Sequence, residues 1–131
     1  MARRDLTGAV DFDYLEGFAV GDAAVVEEVL GLFREQAALW LRLLDPSAPG
    51  DAWRDAAHTI KGAARSIGAG ALAEACAAAE LADAAAPPDK AALLDRVRDA
   101  MDLVLADIAA YLHEQALRSL KTPAKNTMIL D

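Results

Sequence analysis

The residues best suited to chemistry in this sequence are His58 and the cations around it. Arg54 stands four residues before His58, and Lys61 and Arg65 stand three and seven residues after it. On a helix these spacings bring the side chains onto one face, where like charges repel by roughly a few tenths of a kcal/mol per pair. The whole chain carries 21 Asp and Glu against 13 Lys and Arg. A basic stripe of Arg54, His58, Lys61 and Arg65 on such an acidic protein predicts that an anionic group binds there.

Gly62 lies one helical turn beyond His58, at a position where glycine is costly. Glycine inside a helix costs roughly 1 kcal/mol relative to alanine, and alanine is the most frequent residue of this chain. The simplest gain from the missing side chain is room for another molecule's surface. The surrounding cations disfavour a protonated imidazole, so we expect a neutral His58 whose free nitrogen lone pair can attack a phosphoryl group.

Three neighbouring residues are open to two interpretations each. Arg54 and Arg65 could contact phosphate or form a plain solvated face, because arginine pairs well with phosphate and with water. Ser66 could take part at the edge of the site or bond locally to the backbone. The residues alone leave these alternatives open.

The composition of the chain and its capping and helix-breaking residues predict the helices that carry this stripe. It is rich in alanine and poor in β-branched residues, which favours helices over strands. A short helix is expected after the candidate N-cap Asp11, and Asp22 and Asp51 are candidate caps of later helices. Pro87 and Pro88 are expected to end the fourth helix. The longer helices are predicted at about 22–44, 51–67, 71–85 and 89–117.

Short connections between long amphipathic helices favour antiparallel neighbours. We therefore predict an all-α protein, an antiparallel four-helix bundle with a short additional N-terminal helix. Residues 1–119 form this domain and residues 120–131 a C-terminal tail. On a helical wheel the third helix turns one face inward, away from the basic stripe; that face comprises Trp53, Ala56, Ala57, Ile60, Ala64 and Ile67.

The stretch from Ala57 to Ala69, AHTIKGAARSIGA, resembles the signature of histidine-containing phosphotransfer (HPt) domains. In that signature His-x-x-Lys-Gly is followed six residues later by another glycine. The continuation is similar to the family's next helix, in which small residues and a leucine seam precede a glutamate, here Leu72, Ala75, Cys76, Glu80 and Leu81. The sequence departs from the family pattern at Ala63, where many members carry serine, and at Arg65, which is bulkier and more basic than usual.

The resemblance implies a phosphorelay intermediate, a phosphoryl carrier with no kinase activity of its own. His58 would accept a phosphoryl group from the phospho-aspartate of a response-regulator receiver domain and pass it to another receiver. Lys61 would attract the phosphoryl oxygens, and Gly62 would let the receiver come close. The implied partners are receiver domains, including those of hybrid histidine kinases. This chain would need no cofactor, because the receiver would supply the Mg²⁺.

Other classes of function are disfavoured by the sequence. A formal net charge of −8 disfavours nucleic acid as a ligand, and no uncharged apolar run is long enough to span a membrane. No metal site is predicted, because Asp55-x-x-His58 is the one acid-x-x-His pair and lies on the outward face. A cytoplasmic monomer is expected. The alternative to phosphotransfer is a helical binding module that docks a receiver or another protein without exchanging phosphate.

Overall fold

A computed structural model describes residues 6–120, which form five α-helices and no strand. The helices are α1 (Phe12–Phe18), α2 (Ala23–Leu43), α3 (Gly50–Ser66), α4 (Gly70–Leu81) and α5 (Pro87–Leu120). The predicted all-α class is therefore confirmed. The predicted tail lies outside the described residues, except that Leu120 is the last residue of α5.

The four longer helices contact one another in a closed cycle. α2 packs against α3 and α5, α4 packs against the same two helices, and α1 packs on α2. The core lies inside this cycle and contains the largest fully buried side chains, among them Leu30, Trp53, Ile60, Leu72, Met101 and Ile108. No helix within residues 6–120 combines the length and apolar character needed to cross a membrane.

The inward face predicted for α3 is confirmed, and it makes the most extensive interface of the fold, with α4. Trp53, Ile60 and the alanines of that face are buried. The Trp53 indole Nε1–H donates a hydrogen bond to the Ala79 carbonyl at 2.7 Å. Alanine dominates the facing surface of α4, and small side chains let two helix backbones approach closely. This close approach is what brings the polar side chains at the rim of α4 within reach of α3.

Three of the predicted helix ends are corrected. α4 ends at Leu81, earlier than expected, and the pair Pro87 and Pro88 begins α5 instead of ending α4. Proline is favoured in the first turn of a helix because the N–H it lacks would have no partner there. Asp51 lies inside the first turn of α3, whose N-cap is Pro49. By contrast, Asp11 and Asp22 cap α1 and α2 as predicted.

Two glycines fix how α3 meets its neighbours. A Cβ at Gly50 would lie 2.6 Å from the Asp83 carbonyl oxygen, so only glycine lets the start of α3 touch the α4–α5 connection. Gly68 has a φ of 74°, which glycine adopts without strain and which is typical of a helix end. Its carbonyl accepts a hydrogen bond from Asp11 N at 3.0 Å. The two ends of α3 are thus held by the α4–α5 connection and by the N-terminal segment.

A buried carboxylate fastens the N-terminal segment to α5. Asp107, only 1% exposed, accepts hydrogen bonds from Thr7 N at 2.8 Å, Thr7 Oγ1 at 3.0 Å and Ala9 N at 3.0 Å. One helical turn further along α5, the Tyr111 ring stacks on Phe12 at a centroid distance of 4.4 Å. Together these contacts hold α1 against the bundle.

We expect Asp107→Ala to lower the free energy of unfolding by about 2–3 kcal/mol, because hydrogen bonds to a charged group are lost and their donors become partly unpaired. Asp102→Ala, an exposed site on the same helix, is the matched control and should change stability by less than about 0.5 kcal/mol. Urea unfolding followed by circular dichroism measures both. Equal stabilities of the two variants would contradict the role given to Asp107.

Candidate functional site

His58 projects from the middle of α3, and its side chain is 68% exposed. The exposure follows from the sequence of the helix, because Ala57 and Ile60 beside it occupy the buried face. An imidazole in this position is open to a second protein. The wheel-based expectation of an outward ring is met.

A carboxylate of α4 lies directly against this imidazole. The His58 Nδ1 and the Glu80 Oε2 are 2.9 Å apart, and the Lys61 ammonium donates a hydrogen bond to the other oxygen, Oε1. Glu80 and Lys61 side chains are 20% and 16% exposed, so their contact is largely screened from water. One carboxylate therefore holds both the imidazole and the lysine of the motif.

This contact determines which ring nitrogen carries the proton. An ionised carboxylate can only accept hydrogen bonds, so the proton of a neutral His58 resides on Nδ1, which donates it to Glu80. Nε2 then bears the free lone pair. The nitrogen with the free lone pair is the one on the far side of the ring from Glu80.

The charge on Glu80 is stabilised by the same contacts. The hydrogen bond from Lys61 is the main cause that holds the pKa of Glu80 below its ordinary value; the hydrogen bond from His58 adds to it, and partial burial opposes both. Because the pKa is lowered, the carboxylate stays ionised to a lower pH than an ordinary glutamate does. Its favourable contribution to folding is present above the ordinary glutamate pKa and is lost as the pH falls through the lowered value.

The basic stripe is less positive than its sequence suggests. Arg54 forms an ion pair with Asp83 at 3.1 Å, and Glu80 engages both His58 and Lys61. The expectation that cations alone surround the imidazole was therefore wrong, since the charge nearest to the ring is a carboxylate. A helical wheel of α3 contains no information about the acids that α4 brings to the interface.

Gly62 leaves open space beside His58. Apart from its chain neighbours and the backbone of its own helix, a Cβ built at Gly62 would meet no atom within 4 Å in the described residues. Nothing inside the described fold therefore requires glycine there, although it weakens the helix. The observation supports clearance for an external surface.

The remaining predicted site residues lie apart from the ring. Ser66 Oγ donates to the Ala63 carbonyl at 2.7 Å, the local backbone bond that was one of its two interpretations. Ser66 also lines a groove of about 210 Å³ between α3 and α2. Arg65 is exposed, two turns along α3 from His58. The structure thus brings His58 and Lys61 together and leaves Arg54, Arg65 and Ser66 around them.

Cys76 lies in the core beneath this cluster. It is fully buried, and burial raises the pKa of its thiol to about 12. The thiol is therefore neutral and a poor nucleophile. Among residues 6–120 there is no group of three or more His, Cys, Asp or Glu side chains placed to hold a metal ion.

The role of Asp83 was missed by sequence reasoning, and that of Glu80 was seen only as a match to the family pattern. The sequence does contain a signal for the role of Glu80. Glu80 is the one acid in the otherwise uncharged segment Ala75–Leu81, and this segment lies on a helix expected to pack beside α3. Acids isolated on an alanine-rich helix next to a basic stripe are candidates for pairing with it.

Comparison with known proteins identifies the family to which this chain belongs. Residues 24–118 match the family model described as Hpt domain, so the chain belongs to the Hpt domain family. The crystal structure of the histidine phosphotransferase ShpA from Caulobacter crescentus is similar, with 60% sequence identity and a TM-score of 0.71. The match covers 86% of this chain and 99% of that one. Comparison with curated proteins gives no significant match.

We expect the neutral His58 ring to be the Nδ1–H tautomer, and Glu80→Ala to shift it toward Nε2–H because the acceptor is removed. Glu80→Gln has a single oxygen, which the Lys61 ammonium can take, so its NH₂ group faces Nδ1 and should also favour the Nε2–H form. Long-range ¹H–¹⁵N spectra at a pH of about 8, above the ordinary histidine pKa, distinguish the tautomers. His113, which is exposed on α5, is the internal control and should be unaffected. The same tautomer in wild type and Glu80→Ala would contradict the assignment.

Proposed function

We propose that His58 is the phosphoacceptor of this chain, which is a histidine phosphotransfer protein of a phosphorelay. The observation that carries the assignment is the exposed imidazole whose Nδ1 is bonded to Glu80 in a chain of the Hpt family. The phosphoryl group comes from the phospho-aspartate of a receiver domain and passes to another receiver. Hpt proteins of phosphorelays interact with such domains.

The chemical step follows from the tautomer. The Nε2 lone pair attacks phosphorus, the bond between phosphorus and the aspartyl oxygen breaks, and that oxygen leaves as a carboxylate. Because Nδ1 keeps its proton, the phosphorylated ring is positively charged as the new bond forms. The Glu80 carboxylate accepts the Nδ1–H bond and stabilises that developing charge, as a fixed carboxylate does for any histidine that becomes cationic during catalysis.

Lys61 has two roles in this proposal. It attracts the oxygens of the transferring phosphoryl group, and through its contact with Glu80 it neutralises a carboxylate that would otherwise repel that group. A carboxylate left uncompensated beside a phosphoryl dianion would raise the barrier, because Coulomb interactions are strong where water is partly excluded.

The side of His58 toward α2 offers an apolar docking surface for the receiver. Leu32 and Leu43 of α2 are each 55% exposed. A groove of about 220 Å³ between α2 and α3 is lined by Trp40, Leu43, Ala52, Asp55, Ala56 and Thr59. Exposed apolar side chains next to a reactive residue mark a protein interaction site. A receiver seated there would pass over Gly62.

The finer features of the protein belong to this proposal as well. The four longer helices run as an antiparallel bundle, which belongs to the domain proposed for 1–119, and the protein is a cytoplasmic monomer. The receiver supplies Mg²⁺, and the receivers include those of hybrid histidine kinases. The chain is a phosphoryl carrier without kinase activity, and it binds neither nucleic acid nor membrane. The closed cycle of helices supports the bundle, and the acidic net charge disfavours binding of nucleic acid.

We expect His58→Gln to abolish transfer of phosphate to this chain while leaving the fold intact, because an exposed side chain contributes little to stability. Receiver domains labelled with acetyl [³²P]phosphate are mixed with the wild type, with His58→Gln and with the control His113→Gln. Label on the wild type and on His113→Gln should be acid-labile and base-stable, as a phosphohistidine is.

Label that persisted on His58→Gln would contradict the assignment of His58 as the phosphoacceptor. Receivers that bound the wild type tightly without labelling it would instead favour the alternative, a binding module that exchanges no phosphate.

We expect Gly62→Leu to slow transfer from every receiver while helix content stays the same or rises, because the added side chain occupies the space that the partner needs. Gly31→Leu on α2 is the matched control, since a Cβ at Gly31 also meets no atom within 4 Å. It should gain similar helix stability and keep the wild-type transfer rate. Unchanged transfer by Gly62→Leu, measured with the same labelled receivers, would show that the glycine does not serve clearance.

A further inference from the structure

The cations on the exposed face of α3 differ in what they contact. Arg54 is held by Asp83, and Lys61 by Glu80. No carboxylate in the part of the chain that the structure describes forms an ion pair with Arg65, although acidic residues outnumber basic ones in this protein. Arg65 is therefore the cation of this face that is available to an external anion.

Arg65 also occupies a distinct place beside the reactive imidazole. Seven residues, or about 10 Å along the helix axis at 1.5 Å per residue, separate it from His58, and the two side chains leave the helix in nearly the same direction. Gly62 lies between them and presents no side chain. A protein surface resting on His58 would therefore extend over Gly62 to Arg65.

The surroundings of Arg65 form an open recess. It has a volume of about 270 Å³ and is lined by Asp11, Tyr14, Arg65, Gly68, Ala69 and Gly70. Tyr14 is half-exposed there. Asp11, the acid in this recess, accepts a hydrogen bond from Tyr14 N and caps α1. The recess thus offers a guanidinium and a phenol ring to a side chain that enters from outside.

We propose that Arg65 binds a carboxylate side chain on the docking surface of the receiver and so forms a second anchor that orients the receiver over His58. This inference rests on the function proposed above. A guanidinium matches a carboxylate in two parallel hydrogen bonds, and two anchors about 10 Å apart fix the rotation of a docked protein where one does not. In this proposal Arg65 is a docking residue and takes no part in the chemical step.

The test measures kcat and KM for transfer from receiver domains phosphorylated with acetyl phosphate, using those that label the wild type. Arg65→Ala should raise KM roughly threefold to tenfold, and Arg65→Glu should raise it further, with kcat nearly unchanged. Arg65→Lys should restore part of the loss. The wild-type kcat/KM should fall as NaCl is raised from about 50 to about 300 mM, and Arg65→Ala should respond less.

Two arginine variants serve as comparisons. Arg98→Ala removes the same charge from an exposed position on α5, which makes no extensive contact with α3, and it should keep the wild-type KM. Arg54→Ala should raise KM less than Arg65→Ala does, because Asp83 already holds that guanidinium. Thermal unfolding of each variant by circular dichroism should match the wild type.

The outcomes separate this inference from the function on which it rests. If no receiver labels the wild type, the proposed function fails. If labelling is normal and Arg65→Ala matches Arg98→Ala in KM and salt response, only the docking role of Arg65 is overturned. A fall in kcat at unchanged KM also overturns it, because that result would place the guanidinium on the phosphoryl group.

Discussion

The site of this protein depends on one carboxylate that contacts two motif residues at once. Glu80 fixes the His58 ring through Nδ1 and holds Lys61 through its other oxygen. Without it, either ring nitrogen could carry the proton, and the lysine would be one more flexible cation. With Glu80 in place, Nδ1 carries the proton and the free lone pair is on Nε2. The charge nearest to the ring is then the fixed Glu80 carboxylate and not a group of mobile surface cations. The lowered pKa of Glu80 keeps the carboxylate charged further into the acidic range than an ordinary glutamate.

The position of Glu80 is a consequence of how tightly α3 and α4 pack. Alanines make up much of the facing surfaces of both helices, so the backbones approach and charged side chains at the rim can meet. Gly50 permits the equivalent contact at the start of α3, where its missing Cβ makes room for the Asp83 carbonyl. That connection also carries the Asp83 carboxylate to Arg54. Small residues in the core therefore determine which charges meet at the surface.

The sequence predicts much of this fold and part of the site. Periodicity and capping residues locate the helices and identify the buried face of α3, since both signals are local. The Hpt signature singles out His58, Lys61 and Gly62. The contacts of His58 and Lys61 with Glu80 of α4 could not be predicted from the sequence of α3. They depend on the distance between the two helices and on how each is rotated about its axis. Pro87 and Pro88 were misassigned because proline can follow one helix or begin the next.

The pairing of charges also bears on how a carrier can work in both directions. A phosphoryl carrier must accept a group and release it, and by microscopic reversibility the same transition state serves both steps. A site that was strongly cationic would hold the phosphoryl dianion tightly and slow its release. Here Lys61 and Glu80 cancel formally, so the long-range attraction for the dianion is weak. In the proposed step the Glu80 hydrogen bond acts on the ring, which is positively charged in the transition state and in the phosphorylated intermediate alike. Release is therefore helped by the weak attraction for the dianion and not by this hydrogen bond, which stabilises the intermediate as well.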